Sequence, residues 1–296
     1  MDNRITIDKL EFYITNVCNL TCSGCNRYNN YKFSGWQDYN DYADIIQQWS
    51  TKINIVKPVI LGGEPLLNPS INEWVRGLKT VWPTAYSPEI ISNGTRIDLV
   101  DGLYESWRET GSWIGISLHR DSDLAPIVNR IKNFLTHPIQ EGKHLKPQVN
   151  SDYQFKDANN VQVHIWITTD FLQNNIIERV DGTRTLYNSD PVKAHAVCPQ
   201  VIHKNYHFLN GKIYKCGPAP LMPEFDKQYP FDISDEDRTI LYADQGLSIE
   251  EFDERGAEFF ANIDNPIPQC KFCPESFEWH KIEFTDLKPN KIWQIN

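Results

Sequence analysis

The sequence predicts an α/β protein, either a doubly wound sheet or a full or partial (βα) barrel, followed by a smaller region of different character. Three observations predict it. Short apolar runs alternate with segments of helical periodicity from Leu10 to about Asp170, polar residues gather where those runs end, and the pattern changes near Ala194. Alternating β and α segments of this length form parallel βα units, which right-handed crossovers wind into a sheet or barrel.

Taken in order, the strand candidates are Leu10–Thr15, Pro58–Gly62, Glu89–Ser92, Trp113–Leu118 and Val161–Thr168. Between them Tyr39–Trp49, Ile71–Val81, Leu99–Glu109 and Leu124–Leu135 carry apolar residues at helical spacing. His137 to Asn160 is polar and without a clear period, and reads as an insertion or long loop, a candidate lid. Further on, Val201–Leu209 and Lys212–Lys215 flank Asn210-Gly211, a hairpin turn in which both residues tolerate positive φ.

Bulk properties narrow the function. The 296 residues suffice for one large domain or a barrel with a module. No apolar run approaches the roughly 20 residues that span a bilayer. The N-terminal Met1-Asp2-Asn3-Arg4-Ile5 lacks signal-peptide character, so a cytoplasmic protein without membrane contact is expected. The formal charge, 29 − 39 = −10, argues against a large nucleic-acid surface. Seven cysteines in such a chain read as metal ligands or catalytic groups rather than disulfides, and seven is odd.

Three of the seven, Cys18, Cys22 and Cys25, form a C-x3-C-x2-C run on a loop leaving the first strand. Three thiolates can hold three irons of a cubane and leave the fourth open for chemistry, whereas structural and electron-transfer sites supply four ligands. The other strand ends are polar too. They read Gly62-Gly63-Glu64-Pro65, Ser92-Asn93-Gly94, Ser117-Leu118-His119-Arg120 and Thr168-Thr169-Asp170. Each alone is an ordinary turn signal. Five after five successive strands mark the C-terminal end of a sheet or barrel, where ligands bind.

Alternation adds to this. Ile114, Ile116 and Leu118 share one face of their strand and Gly115, Ser117 and His119 the other; Gln162, His164, Trp166 and Thr168 likewise oppose Val161, Val163, Ile165 and Ile167. The polar faces suit a ligand-bearing lumen, although His164 and Trp166 can equally pack and bond inside a barrel. His119, His164, Trp166 and Asp170 are candidate substrate-contact residues by position, the first two and Asp170 also candidate catalytic ones, with Tyr13 a weaker one.

The Cys18, Cys22, Cys25 triplet together with Gly62–Pro65 resembles the radical S-adenosylmethionine (SAM) superfamily. The resemblance covers about the first two hundred residues. It implies a partial (βα)6 TIM-type barrel over residues 1–194, a 4Fe–4S cluster on the triplet, and SAM chelating the open iron. In that family one-electron cleavage of SAM gives a 5′-deoxyadenosyl radical that takes hydrogen from substrate, with electrons from an external flavodoxin- or ferredoxin-type reductant. Carried over, Gly62, Gly63 and Glu64 meet the SAM amino group, Asn93 and Ser117 its ribose or carboxylate, and Arg120 its carboxylate. The residue before the third cysteine is usually aromatic in the family and here is Gly24, so adenine packing must be arranged differently, Tyr28 being one candidate.

The remaining Cys198, Cys216, Cys270 and Cys273 fit two descriptions. Four thiolates with one C-x2-C pair and a hairpin describe a structural zinc site as well as a second iron–sulfur cluster. The C-x12-G-x4-C run from Cys198 to Cys216 resembles the start of the SPASM and twitch modules of some radical SAM enzymes. That implies a C-terminal β-hairpin-plus-helix domain over residues 195–296 holding an auxiliary 4Fe–4S cluster. The whole resembles the architecture of the aminocyclitol dehydrogenase of butirosin biosynthesis, whose substrate-binding residues find no match here. By analogy the substrate is small and polar (a sugar, cyclitol or nucleotide-like molecule) and is oxidised. Peptide- or protein-modifying maturases are the second reading. Many carry an N-terminal recognition domain, for which a first strand beginning near Leu10 leaves no room. A non-catalytic iron–sulfur or zinc protein is the third.

Overall fold

The computed structural model describes residues 3–142, 151–172, 174–276 and 278–284. In the N-terminal half β1 (Ile5–Tyr13), α1 (Tyr39–Lys52), β2 (Ile53–Leu61), α2 (Ile71–Val81), β3 (Glu89–Ser92), α3 (Leu103–Thr110), β4 (Trp113–Leu118) and α4 (Leu124–Phe134) follow one another as βα units. Next come β5 (Gln140–Gly142), β6 (Tyr153–Lys156), β7 (Gln162–Ile167), β8 (Asp170–Leu172), β9 (Ile176–Glu178) and β10 (Arg184–Leu186). The last part holds α5 (Pro191–Ala196), α6 (Pro199–Ile202), β11 (Asn205–Leu209), β12 (Lys212–Tyr214), α7 (Met222–Gln228), α8 (Asp235–Tyr242), α9 (Phe252–Ala261) and β13 (Trp279–Lys281).

The main sheet has nine strands in the order β12-β11-β1-β2-β3-β4-β7-β6-β5. Its middle six, from β11 to β7, run parallel, while β12, β6 and β5 are antiparallel additions at its two edges. The fold is thus mixed α/β with a parallel central sheet, as expected for a partial barrel, and the sheet is open among the described residues. The sixth parallel strand is β11 of the expected hairpin, which joins β1 on the side away from β2. Asn210 and Gly211 both have positive φ, 50° and 82°, as a tight turn matched to strand twist requires.

Three elements start elsewhere than the sequence pattern predicts. Both β1 and β2 begin five residues before the apolar runs do, because Thr6, Lys9, Asn54 and Lys57 interrupt the apolar pattern while still pairing. The helix expected from Leu99 starts at Leu103, after Gly102 in the left-handed region. Within 137–160, β5 and β6 pair onto β7 and extend the sheet edge; the rest of that candidate lid, residues 143–150, lies outside the described residues.

The core lies between sheet and helices. Ile46 and Trp49 of α1, Trp74, Val75 and Leu78 of α2, and Trp107 of α3 are buried against Phe12, Ile60, Ile90 and Ile114. Asp38 caps α1 by accepting from Asn40 N at 3.0 Å. The indole N–H groups of Trp49, Trp74 and Trp82 donate to the carbonyls of Gly211, Gln37 and Ile53, each at 3.0 Å, so these rings bury their area without an unmet donor. A second apolar cluster gathers Tyr28, Leu221, Met222, Phe225, Phe231 and Phe272 around the C-terminal helices. No described helix is long and apolar enough to cross a membrane.

Candidate active site

The loop after β1 carries the three cysteines, and backbone contacts to the loop after β2 hold it. Gly63 N donates to Thr15 O and Glu64 N to Val17 O, both at 2.7 Å. The two chains pass so closely that a Cβ on Gly62 would stand 2.6 Å from Thr15 O, and one on Gly63 2.3 Å from Val17 O. Glycine is needed at both positions for this approach, not for an unusual φ. From the other side Asn93 Nδ2 donates to Asn19 Oδ1 at 2.8 Å and Asn19 Nδ2 to Thr95 Oγ1 at 2.7 Å, tying the residue after Cys18 to the end of β3.

Cys18, Cys22 and Cys25 open onto one cavity of about 310 Å³. Of the expected cofactor contacts, Gly62, Gly63, Asn93 and Ser117 line it, and so does His119. The parallel register of β3, β4 and β7 brings these strand ends to one level, which is why residues so far apart in sequence share a wall.

Four expected residues take other places. Glu64 is fully buried: its Oε1 accepts from Leu66 N at 3.0 Å and Ser92 Oγ at 2.7 Å, and its Oε2 from Asn93 N at 2.7 Å. Burial pushes its carboxyl up, while these donors pull it back down. It therefore fixes the β2 and β3 ends from behind the wall. Arg120 pairs with Asp123 at 2.9 Å and lies over the Phe284 ring at 4.4 Å. His164 is buried beneath the cavity, its ring 4.8 Å from Trp113 and 6.0 Å from Trp166, in the packing role its strand face also allows. Asp170 stands exposed on β8 and accepts from Thr169 Oγ1 at 3.0 Å.

His119 has the features of a proton acceptor. Its Nδ1 is 3.1 Å from Thr168 O. A carbonyl only accepts, so Nδ1 carries the proton and Nε2 keeps its lone pair. Burial holds the imidazole below its ordinary value, which keeps it neutral. Its ring meets Phe171 edge-on at 5.0 Å.

Phe171, Glu11, Arg27 and Gln200 also line the cavity, and sequence reasoning missed all four. Glu11 left a signal, as the single carboxylate inside the otherwise apolar run Leu10 to Ile14. Phe171 also lies beside Gly24. Gly24 has φ +72°, and the atom nearest to an added Cβ is Phe171 Cβ at 3.7 Å, so an aromatic ring from β8 stands beside the position where the loop lacks one. Tyr28 faces away: it is buried in the second apolar cluster and donates to Asn175 Oδ1 at 2.6 Å.

A strap covers the cysteine loop. Strand β13 pairs with β8, Ile282 N donates to Thr169 O at 2.8 Å, and Phe284 bridges to Cys22. Ser23 N donates to Glu283 O at 2.7 Å, and Glu283 N to Ser23 Oγ at 2.8 Å.

Burial first, then the neighbouring thiols, pushes Cys22 up to about 12, with the Arg120 and Lys32 charges opposing. Cys18 is raised further, by burial and then by Glu64. Such thiols bind metal only by exchanging protons for it. The second set shows the same pattern. Burial and Cys198 raise Cys216 to about 12, burial raises Cys270 to about 11, and Cys273 is raised by burial and by the other three. All four therefore lie within electrostatic reach of one another, with Lys215 beside Cys270. Among the described residues, no three His, Cys, Asp or Glu side chains converge on a point suited to a single metal ion.

Residues 12–141 match the family model described as the Radical SAM superfamily. The matched stretch spans the cysteine triplet, the Gly62–Glu64 loop and the ends of β3 and β4. Among solved structures, BtrN in complex with AdoMet and 2-DOIA is similar over 94% of this chain and 94% of its own, at 14% identity and a TM-score of 0.47. SuiB of Streptococcus suis bound to S-adenosylmethionine is similar over 42% of this chain and 28% of its own, at 20% identity and a TM-score of 0.33. The anSMEcpe structure with bound AdoMet and the Cp18Cys peptide covers 44% of this chain and 40% of its own, at 17% identity and a TM-score of 0.33. No curated protein matches the chain.

Proposed function

We propose that this protein is a radical SAM oxidoreductase acting on a small polar substrate, with a second iron–sulfur cluster as electron acceptor. One observation carries the reading: three thiols open onto a cavity whose wall includes Gly62 and Gly63, where a Cβ would strike the cysteine loop itself. The donor set fits the group, because three thiolates hold three irons of a 4Fe–4S cluster and leave one for SAM.

When bound, cluster and SAM supply the one-electron cleavage that withdraws a hydrogen atom from substrate. The protein's part is to hold and orient. Cys18, Cys22 and Cys25 hold the cluster. Gly62 and Gly63 seat the cysteine loop against the end of β2, Asn93 and Ser117 offer SAM hydrogen bonds, and Phe171 gives its adenine a flat apolar face. For an alcohol becoming a ketone, the carbon gives up a hydrogen atom, the hydroxyl a proton and the substrate one electron. His119 Nε2 is placed to take the proton. Cys198, Cys216, Cys270 and Cys273 hold the acceptor of the electron, and an external one-electron reductant renews the first cluster.

The test is anaerobic reconstitution with iron and sulfide. About eight irons per chain and 5′-deoxyadenosine from SAM and dithionite are expected. Replacing Cys18, Cys22 and Cys25 by Ala abolishes that product, and replacing Cys270 by Ala leaves the first cluster's spectrum intact. About four irons plus one zinc removes the electron acceptor from the proposal. No 5′-deoxyadenosine from fully loaded protein overturns it. A screen for deuterium transfer from labelled sugars, nucleotides and peptides into 5′-deoxyadenosine identifies the substrate class, and transfer from a peptide alone turns the reading to a maturase.

A further inference from the structure

Arg27 lies two residues beyond Cys25, and its guanidinium is 8% exposed. One nitrogen is committed: Nη2 donates to Glu11 Oε2 at 2.9 Å and is 3.2 Å from His207 Nδ1. The other, Nη1, is buried and has no hydrogen-bond partner among the described residues. An N–H group left unpaired inside a protein is destabilising, so the position calls for an acceptor.

The place of Nη1 says which one. A Cβ on Gly217 would stand 1.4 Å from Nη1 and 2.4 Å from Cζ, so the guanidinium lies flat against the backbone immediately after Cys216. Its charge opposes the burial that raises the Cys216 thiol. The charge balance agrees. Glu11 faces two cations, Lys9 at 2.8 Å and Arg27 at 2.9 Å, and burial keeps His207 neutral, so one positive charge is left over. Four thiolates around a metal cluster are the nearby negative charge that would balance it. Arg27 also borders the cavity of the first three cysteines.

We propose that Arg27 is a positioning residue that donates Nη1–H to the sulfur of Cys216 or to the cluster that Cys216 holds, and so raises that cluster's reduction potential. This rests on the reading that Cys198, Cys216, Cys270 and Cys273 hold an iron–sulfur cluster. Hydrogen bonds to cluster sulfur and nearby positive charge both favour the reduced, more negative state. The guanidinium thereby equips the second site to accept an electron from substrate held beside the first.

The experiment is an EPR-monitored redox titration of the reconstituted protein, comparing wild type with Arg27→Gln and Gly217→Ala. Arg27→Gln removes the charge. Gly217→Ala keeps it but puts a methyl where Nη1 stands. Both shift the second cluster's midpoint to more negative potential and leave the first cluster's SAM-dependent signal in place. If Arg27→Gln loses the second cluster, Gly217→Ala decides. Unchanged midpoints in the variants that retain eight irons, or a shift confined to the first cluster, overturn the proposal. Zinc at the four cysteines of wild type instead shows that the underlying reading has failed, and the proposal with it.

Discussion

Gly63 and Val17 meet backbone to backbone, so closely that a Cβ on Gly63 would lie 2.3 Å from the Val17 carbonyl oxygen and 3.0 Å from Cys18 Cβ. The contact couples the end of β2 to the first cysteine. Neither backbone can yield without breaking the Gly63 N to Thr15 O and Glu64 N to Val17 O bonds. Gly63→Ala is therefore expected to cost about 1–3 kcal/mol of stability by overpacking. It should also displace Cys18 from the other two thiols. Iron content falls by about four per chain, the second site keeps its metal, and 5′-deoxyadenosine formation drops at least tenfold, as measured by iron assay and product analysis.

Glu64 supports a different expectation from that of a ligand contact. Its carboxylate joins Leu66, Ser92 and Asn93. Gln in its place turns an NH2 group toward one of those donors and leaves a buried pair unmet, at about 1–3 kcal/mol. Glu64→Gln thus lowers the thermal unfolding midpoint in the absence of SAM. A residue that only contacted SAM would leave that midpoint unchanged.

Phe171 is the predicted adenine support. Phe171→Ala removes the ring beside Gly24 and the edge-on partner of His119. An aromatic contact of this kind contributes about 0.5–1.5 kcal/mol beyond its buried area, so SAM binding weakens about tenfold or more. Phe171→Tyr restores most of it. Equilibrium binding of SAM to the reconstituted variants gives the ratio.

How far the site was legible follows from where its residues lie. The triplet, Gly62, Gly63, Asn93, Ser117 and His119 could be read because each ends a parallel strand, and the register of such strands gathers their ends. Arg27 and Gln200 could not. Arg27 follows a loop, and Gln200 reaches the cavity only because β11 joins β1 across nearly two hundred residues, a pairing no local pattern announces. Phe171 belongs to β8, three residues held by β13 from the far end of the chain. Glu64 was visible as a residue, but its bonds to Leu66, Ser92 and Asn93 were not. A carboxylate after Gly-Gly looks the same in sequence whether it faces a ligand or its own strands.

The His207–Glu11–Arg27 cluster gives the protein an acid-sensitive core. His207 Nε2 is 2.9 Å from Gln200 Oε1 and its Nδ1 3.2 Å from Arg27 Nη2. With Nε2 donating to Gln200, the neutral ring keeps a lone pair on Nδ1 for Arg27, while Nδ1 also stands 3.1 Å from Glu11 Oε2. Burial, then the Arg27 charge, holds its pKa below 6.5, although Glu11 pulls the other way. The folded state therefore binds fewer protons than the unfolded chain just below pH 6.5. Stability rises with pH in that window and is lost as pH falls, by up to about 1.4 kcal/mol per pH unit. Glu11 adds to this at lower pH. Burial pushes it up, but His207, Arg27 and Lys9 outweigh burial and hold it well below 4.5, so its contribution is present above 4.5 and lost beneath it. Urea unfolding under anaerobic conditions between pH 5 and 8 should show the decline beginning near 6.5. His207→Gln should flatten it, since Gln can still donate to Gln200 and accept from Arg27 but does not titrate. An equally steep decline in the variant would place the acid sensitivity elsewhere in the molecule.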